Sequence, residues 1–238
     1  MDSSEAKDGA EAEPRRAEAA AGAAPASPPS LRVDDPRLAP LPLDFYRRGS
    51  DVVAPELLGR WLVRRLGGEL LVLRLVETEA YLGAPDRASH AAGGRRTARN
   101  ESLYLPGGHA YVYFIYGMHW CLNAVCGEAD EGGAVLLRAG EPVAGEAAMR
   151  ARRGVGERVR PGDIAGGPGK LCQALGVDRS FDGRRLDDAE LWIAGGDPVD
   201  AAGVATGPRI GVAYAGEAAA WPLRFAVSGN PHVSRPRL

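Results

Sequence analysis

Residues 61–81 read WLVRRLGGELLVLRLVETEAY, and this stretch decides the fold. Two runs rich in Leu and Val flank Gly67-Gly68, and a two-residue glycine turn between such runs is typical of a β-hairpin. We therefore expect one strand over Trp61–Leu66 and a second over Glu69–Tyr81. Because strand side chains alternate between two faces, one face of the second strand should carry Leu71, Leu73, Leu75, Glu77, Glu79 and Tyr81. An apolar face that ends in two glutamates and a tyrosine predicts a strand that runs out of the core into a polar cavity.

The sequence on both sides of this hairpin predicts mostly strands, with helices between them. Strands are expected over Ala110–Tyr116, His119–Cys126, Ala134–Arg138, Glu190–Ile193, Arg209–Tyr214 and Leu223–Val227. Helices are expected over Val52–Leu58, Glu141–Arg153 and Pro168–Leu175, with Asp51 as the cap of the first and Gly59, Gly154 and Gly176 at the ends. A type II′ turn at Gly117-Met118 should join two of the strands. The predicted fold class is α+β: a single domain with a curved, open-barrel-like antiparallel β-sheet flanked by helices, with a protruding β-hairpin at this turn.

The composition bounds the domain and excludes some classes of protein. The chain has 238 residues, 45% of them apolar, and a formal net charge of -2, so contacts with phosphates must come from local patches. Residues 1–33 are rich in Ala, Glu and Pro and should be disordered, which leaves residues 34–238 as the folded domain. No apolar run reaches the length of about 18 residues that a membrane span needs, and no Cys or His spacing matches a metal site. We expect no membrane contact, no metal and no cofactor.

Two carboxylates are the first candidates for chemistry. Glu77 and Glu79 should lie roughly 6.5–7 Å apart on one strand face, given the rise of about 3.3 Å per residue. A carboxylate in a partly apolar cavity can act as a general base toward water. The commoner case for such spacing is a pair of structural carboxylates bound to arginines. The spacing alone does not choose between these functions, nor between the two residues.

Aromatic and basic residues suggest contacts with nucleic acid. Tyr116 lies at the predicted turn, with Tyr111 and Tyr113 behind it, and a ring on a protruding hairpin can wedge between base pairs. Arginines that could contact phosphates cluster at Arg87, Arg95, Arg96 and Arg99, and again at Arg150, Arg152, Arg153, Arg158 and Arg160. Ordinary strand packing and solvated loops explain the same patterns equally simply. The run Gly166–Lys170 imitates a P-loop but lacks its first glycine and its Ser or Thr, so nucleotide hydrolysis is excluded.

Eight motifs follow one another between residues 41 and 234. They are VETEAYLG with DRASH and GGRRTARN (Val76–Asn100), YVYFIYGM and CLN (Tyr111–Asn123), VLLRAGEP (Val135–Pro142), GPGKLCQALGV (Gly167–Val177) and PLRFAVSG (Pro222–Gly229). Together they resemble the alkyladenine (3-methyladenine, methylpurine) DNA glycosylases. His119-Trp120 and Glu101–Leu105 depart from the pattern of that family near the expected DNA surface.

The resemblance implies an activity and a set of site residues. It implies a DNA glycosylase of base excision repair that flips damaged purines out of duplex DNA and hydrolyses the N-glycosidic bond. The substrates would include 3-methyladenine, 7-methylguanine, hypoxanthine and ethenoadenine. By position, the resemblance assigns catalysis to Glu79 as the general base and Arg138 as the residue that holds the water. It assigns base binding to Tyr81, His90, Tyr113 and Asn123, and DNA binding to Tyr116, Met118, Arg95 and Arg99.

The lysine count refines this hypothesis. Only Lys7 and Lys170 are present, and glycosylases that also cut the backbone form a Schiff base through an amine. We therefore expect a monofunctional enzyme that leaves an abasic site. Its partner would be double-stranded DNA with a damaged purine, and the enzyme would act as a monomer. The arginine-rich, Ala- and Gly-rich composition is typical of GC-rich coding, so we expect a bacterial protein of the cytoplasm, associated with the nucleoid.

Two other functions remain open from the sequence. A non-catalytic protein that binds DNA damage or abasic sites would use Tyr116 and the arginines but not Glu79. An unrelated small-molecule hydrolase would use Glu77 and Glu79 without binding DNA.

Overall fold

A computed structural model describes residue 31 and residues 34–238 of the chain. Apart from Leu31, the segment predicted to be disordered lies outside the described residues. The strands are β1 (Trp61–Leu66), β2 (Glu69–Tyr81), β3 (Ala110–Ile115), β4 (His119–Cys126), β5 (Gly133–Ala144), β6 (Leu191–Ala194), β7 (Val204–Gly207) and β8 (Arg224–Val227). The α-helices are α1 (Ser50–Glu56), α2 (Glu146–Arg153), α3 (Gly162–Ala165) and α4 (Pro168–Leu175). Short 3-10 helices lie at Pro36–Leu38, Leu43–Phe45, Ala92–Gly94, Glu101–Tyr104, Arg179–Phe181, Ala201–Gly203 and Ala213–Ala220.

One open antiparallel sheet contains all eight of these strands, which confirms the predicted α+β class. Its order is β3-β4-β5-β2-β1-β6, and β8 pairs with the second half of β2 and with β7. The long strand β2 is therefore the centre of the sheet. Its hairpin with β1 has the predicted bounds, and Gly67 and Gly68 both adopt positive φ, as a two-residue type I′ turn requires.

The prediction that six alternating side chains share one face of β2 is wrong. Pairing with β5 skips from Leu75 to Glu77, so Val76 is an extra residue that bulges the strand. Beyond the bulge, Thr78 and Ala80 continue the core face, and the Thr78 hydroxyl donates to Ala54 O of α1 at 2.8 Å. Glu77, Glu79 and Tyr81 turn to the opposite face. The carboxylates of Glu77 and Glu79 therefore lie on the face of β2 opposite the main core. They do not continue the apolar face that carries Leu71, Leu73 and Leu75.

Several predicted boundaries also move. The helix expected over Glu141–Arg153 begins only at Glu146, because the residues before it continue β5 and pair with β2 as far as Ala144. Gly145, at φ 72°, ends the strand. The first helix begins at Ser50 and places Asp51 in its first turn instead of at the cap. The helix over Pro168–Leu175 and its closing Gly176 are confirmed.

Two further predictions are wrong for reasons of backbone conformation. Residues 209–214 form no strand, since Arg209 is held in a buried ion pair and Gly211 adopts φ 78°. The turn between β3 and β4 is centred one residue earlier than expected. Tyr116 and Gly117 both have positive φ, and Met118 N–H donates to Ile115 O at 3.2 Å. A positive φ at Tyr116 is uncommon for a bulky residue and aims its ring away from the sheet.

The helices cover one face of the sheet. Side chains of α1, α2 and α4 join those of β1, β2, β4 and β5 in the largest apolar cluster, with Leu57, Leu73, Leu122, Met149 and Leu171 fully buried. No helix among the described residues is long and apolar enough to span a membrane. This packing leaves the far side of β2 and β5 free to form a polar site.

The bulge in β2 predicts that Thr78 is a core residue. Thr78→Val should lower the free energy of unfolding by about 1–3 kcal/mol, because Ala54 O would lose its buried hydrogen-bond donor. Urea unfolding of the variant measures this loss. Thr206→Val, at an exposed position of β7, is the matched control and should change stability little. Equal effects of the two substitutions would contradict the bulged arrangement.

Candidate active site

A cavity of about 500 Å³ opens beside the end of β2, and we call it the deep cavity. Six side chains selected from the sequence line it: Tyr81, His90, Tyr113, Tyr116, Asn123 and Arg138. Glu79 is fully buried behind the wall, where it bonds to Tyr81 and to Ile210. The fold thus brings together residues that are up to 131 positions apart.

Three groups hold the carboxylate of Glu79. The backbone N–H of Ile210 donates to Oε1 at 2.8 Å, the Tyr81 hydroxyl donates to Oε2 at 2.9 Å, and Arg138 Nη1 lies 3.3 Å from Oε1. Burial raises the pKa of Glu79, and these three partners only partly offset it, so the pKa stays above its usual value. A carboxylate with a raised pKa accepts a proton from water more readily than an exposed one.

Glu77, whose role the sequence left open, anchors Arg138. Glu77 Oε1 accepts from Nε of Arg138 at 2.9 Å and from Nε of Arg224 at 2.7 Å, and Oε2 accepts from the N–H of Ser234 at 2.8 Å. Burial alone would raise the pKa of Glu77, but Arg138, Ser234 and Arg224 outweigh it and lower the pKa. Glu77 therefore stays ionised and bound to Arg138 and Arg224. Glu79 is the carboxylate whose partners all line the deep cavity.

A second bulge aims Arg138 at both carboxylates. Pairing between β2 and β5 passes from Ala139 directly to Leu137, so Arg138 is the extra residue of β5. Bulges beside a site commonly redirect a side chain in this way. The guanidinium of Arg138 consequently reaches Glu77 through Nε and Glu79 through Nη1.

Arg209 joins the two loops that flank the deep cavity. It forms a fully buried ion pair with Asp86 and also donates to Ala80 O at 2.9 Å. Its guanidinium lies 4.7 Å from the centre of the Tyr81 ring. Because Ile210 follows Arg209 directly, this pair also positions the N–H that binds Glu79. Neither Asp86 nor Arg209 was selected from the sequence, although Asp86 begins the DRASH motif.

Three rings form one wall of the deep cavity. His90 and Tyr113 pack edge to face with ring centres 4.6 Å apart, and His90 Nδ1 lies 2.8 Å from the Tyr111 hydroxyl. Burial, with Arg99 and Arg95 nearby, lowers the pKa of His90, so its ring is neutral near pH 7. Asn123 donates its amide to Tyr111 O at 3.0 Å, which fixes the orientation of that amide. These contacts hold the rings in place, and the rings are uncharged.

The four residues predicted to bind DNA are all exposed. Tyr116 and Met118 are 78% and 67% exposed, and Tyr116 also lines the deep cavity. Arg99 donates to Phe114 O at 2.9 Å, and Arg95 is exposed. Asn100 organises their loop, since its amide donates to His90 O and Arg95 O at 3.0 and 2.8 Å.

The glycine-rich run Gly166–Lys170 forms part of the cavity wall, which the sequence did not predict. Lys170 also lines the cavity, and its Nζ lies 3.3 Å from Gly162 O and 3.5 Å from the Asp163 carboxylate. These contacts hold the amine at one side of the opening. Among the described residues, no group of His, Cys, Asp and Glu is arranged to hold a metal ion.

Comparisons with known proteins agree on one family. The sequence model of the methylpurine-DNA glycosylase family matches residues 44–231. A Homo sapiens relative named DNA-3-methyladenine glycosylase is 46% identical over 204 residues, covering 82% of this chain and 67% of the relative. A Myxococcus xanthus relative, whose name also refers to 3-methyladenine DNA glycosylase, is 48% identical over 195 residues, covering 82% of this chain and 93% of the relative.

The contacts of Glu77 predict a large contribution to stability. Glu77→Gln should lower the free energy of unfolding at pH 7 by about 3–5 kcal/mol, because Arg224 would lose its buried counter-charge. The folded pKa of Glu77 is lowered, so this stabilisation is fully present above the unfolded value of about 4.3 and is lost as pH falls from there through the folded pKa. Urea unfolding at pH 7 and at about pH 2 measures both effects.

The matched control is Glu217→Gln at an exposed position. Its effect should be within about 0.5 kcal/mol at either pH. A loss for Glu77→Gln no larger than this control, or one independent of pH, would contradict the anchoring role.

Proposed function

This chain belongs to the methylpurine-DNA glycosylase family, and we propose that it flips damaged purines out of duplex DNA and hydrolyses their N-glycosidic bonds with water activated by Glu79. Membership makes it a DNA-3-methyladenine glycosylase of base excision repair, a hydrolase that acts on N-glycosyl bonds in DNA. One observation carries the proposal for the residue: Glu79 is a fully buried carboxylate with a raised pKa, directly behind three residues that line the deep cavity, Tyr81, Arg138 and Ile210.

The deep cavity suits a base that has left the duplex. A purine inside stacked DNA is out of reach of any side chain, so the target nucleotide must be extruded. The rings of Tyr81, His90 and Tyr113 offer π faces and edges to it, and cationic alkylated purines bind such faces well. Asn123, held by Tyr111 O, would oppose the exocyclic amine of guanine and so disfavour normal bases.

Water attack then needs one base. The water oxygen bonds to the sugar C1′, the N-glycosidic bond breaks with its electron pair on the purine, and Glu79 takes the water proton. A cationic alkylated purine leaves as a neutral base and needs little acid catalysis, whereas hypoxanthine and ethenoadenine leave as anions that take up a proton from solvent. Arg138 would help to orient the water and stabilise ionised Glu79. Because Glu79 must be ionised to act, activity should fall as pH drops through its raised pKa.

The exposed residues around the opening would bind the duplex. In this proposal Tyr116 fills the space that the extruded base leaves, with Met118 beside it, since a side chain wedged between base steps offsets lost stacking. Arg95 and Arg99 would contact phosphates. We further propose that the enzyme works as a monomer on damaged double-stranded DNA, in the cytoplasm beside the nucleoid.

The role of Glu79 is tested by Glu79→Gln. Single-turnover release of 3-methyladenine, 7-methylguanine, hypoxanthine and ethenoadenine from duplex DNA should fall by at least about 100-fold, the usual scale for loss of a general base. Binding to a duplex with an abasic-site analogue should persist. Glu217→Gln, which lies outside the cavity, should keep full activity.

The outcomes separate the competing functions. Unchanged base release by Glu79→Gln would contradict the assignment of the base. Binding without any base release by the unsubstituted enzyme would favour a non-catalytic damage-binding protein. Failure to bind the abasic duplex would favour a small-molecule hydrolase.

The proposal of a monofunctional enzyme makes a separate prediction. Borohydride added during turnover should trap no covalent adduct with DNA, because water and not an amine attacks C1′. Lys170 is the lysine to examine, since it lines the deep cavity. Gel electrophoresis detects an adduct, and Lys170→Arg is the control. An adduct that disappears in Lys170→Arg would show that this lysine is the nucleophile.

A further inference from the structure

A second cavity, of about 360 Å³, adjoins the deep cavity at its opening. We call it the rim cavity. The two share Ser89, His90, Tyr111 and Tyr214, so whatever occupies one lies directly beside the other. The other residues of the rim cavity are Arg87, Ala92, Arg95, Thr97, Arg99 and Asn100. None of its lining residues is acidic.

Among the residues that the structure describes, the three arginines of the rim cavity have no carboxylate partner. Within residues 34–238, no Asp or Glu oxygen lies within 4.0 Å of the guanidinium groups of Arg87, Arg95 or Arg99. Arg96, in the same loop, is by contrast bound to Glu101 and Asp130. The rim cavity therefore has uncompensated positive charge, which favours an anionic ligand.

Tyr214 gives the rim cavity an aromatic surface. Its side chain is 68% exposed, although burying a ring of this size would stabilise the fold. The hydroxyl donates to Ala88 O at 3.2 Å, which holds the ring at the boundary of the two cavities. Tyr214 follows Ile210 by four residues, so the segment that binds Glu79 also presents this ring.

We propose that the rim cavity binds the nucleotide next to the damaged one, with Tyr214 stacked on its base and Arg87 at its phosphate. This inference rests on the proposed function, because it takes the deep cavity as the site of the extruded base. One backbone joins the damaged nucleotide to its neighbours, so a neighbour must lie at the rim. An aromatic face with free arginines is the combination that recognises a nucleotide outside regular base pairing.

The stacking contact is tested with three duplexes. Each contains an abasic-site analogue, and in two of them the neighbouring base on the 5′ or the 3′ side is also removed. With the intact neighbours, Tyr214→Ala should raise Kd about 5- to 140-fold, since a stacked base contributes about 1–3 kcal/mol. Tyr214→Phe keeps the ring and should bind within about twofold of the unsubstituted enzyme.

The location of the contact follows from comparing the duplexes. Removing the base that stacks on Tyr214 should raise the Kd of the unsubstituted enzyme. It should not raise the Kd of Tyr214→Ala, because the variant has already lost the contact. This coupling should appear on one side of the lesion. If the loss caused by Tyr214→Ala is the same in all three duplexes, the stacking proposal is wrong.

Arg87 provides an independent measurement. Arg87→Ala should reduce the slope of log Kd against log salt concentration by about 0.9, the value for one lost phosphate contact. Arg184→Ala is the matched control, since Arg184 binds Glu190 and lines neither cavity. An unchanged slope for Arg87→Ala would show that Arg87 does not contact a phosphate.

Failure of this inference is distinguishable from failure of the proposed function. Base release by the unsubstituted enzyme tests the function and does not depend on Tyr214. Suppose that base release is normal and that Tyr214→Ala loses the same affinity for all three duplexes. This result would overturn the proposal for the rim cavity and leave the proposed function intact. An enzyme that binds none of the duplexes would overturn both.

Discussion

The site depends on one buried cation shared by two buried carboxylates. Arg138 lies between Glu77 and Glu79, and all three side chains are almost completely removed from water. An unpaired charge at such a depth would cost several kcal/mol, so each member requires the others. Arg224 supplies the second positive charge, which leaves the cluster formally neutral. Charge balance thus makes burial of two carboxylates compatible with a stable fold.

Glu77 and Glu79 have the same side chain, but their pKa values shift in opposite directions within the cluster. Glu77 accepts hydrogen bonds from two arginines and from Ser234, and its pKa is lowered. Glu79 is equally buried but has only one arginine within reach among the described residues, so its burial is less fully offset and its pKa is raised. Environment alone therefore separates an ionised, anchoring carboxylate from one with a raised pKa. The buried pair of Asp86 and Arg209 supports this arrangement from the other side, because it holds the backbone that donates to Glu79.

Irregular strands make the cluster possible. In regular strands, Glu77 would follow Leu75 on the core face. The extra residue Val76 turns both glutamates to the other face, and the extra residue Arg138 in β5 aims a guanidinium at them. Tyr116 is a further irregular position, with a positive φ and an exposed ring.

The sequence by itself determined the β1–β2 hairpin, the helix over Pro168–Leu175, the α+β class and the family. These features depend on local turn residues and on the order of motifs along the chain, both of which can be read directly from the sequence. Only the tertiary structure decided the faces of β2, the role of Glu77, and the contributions of Asp86, Arg209, Ile210 and Tyr214. Each of these depends on a partner distant in the chain or on a one-residue bulge. A periodic sequence pattern does not show a one-residue bulge or a distant partner. Hydrogen bonds between residues far apart in the chain determine both.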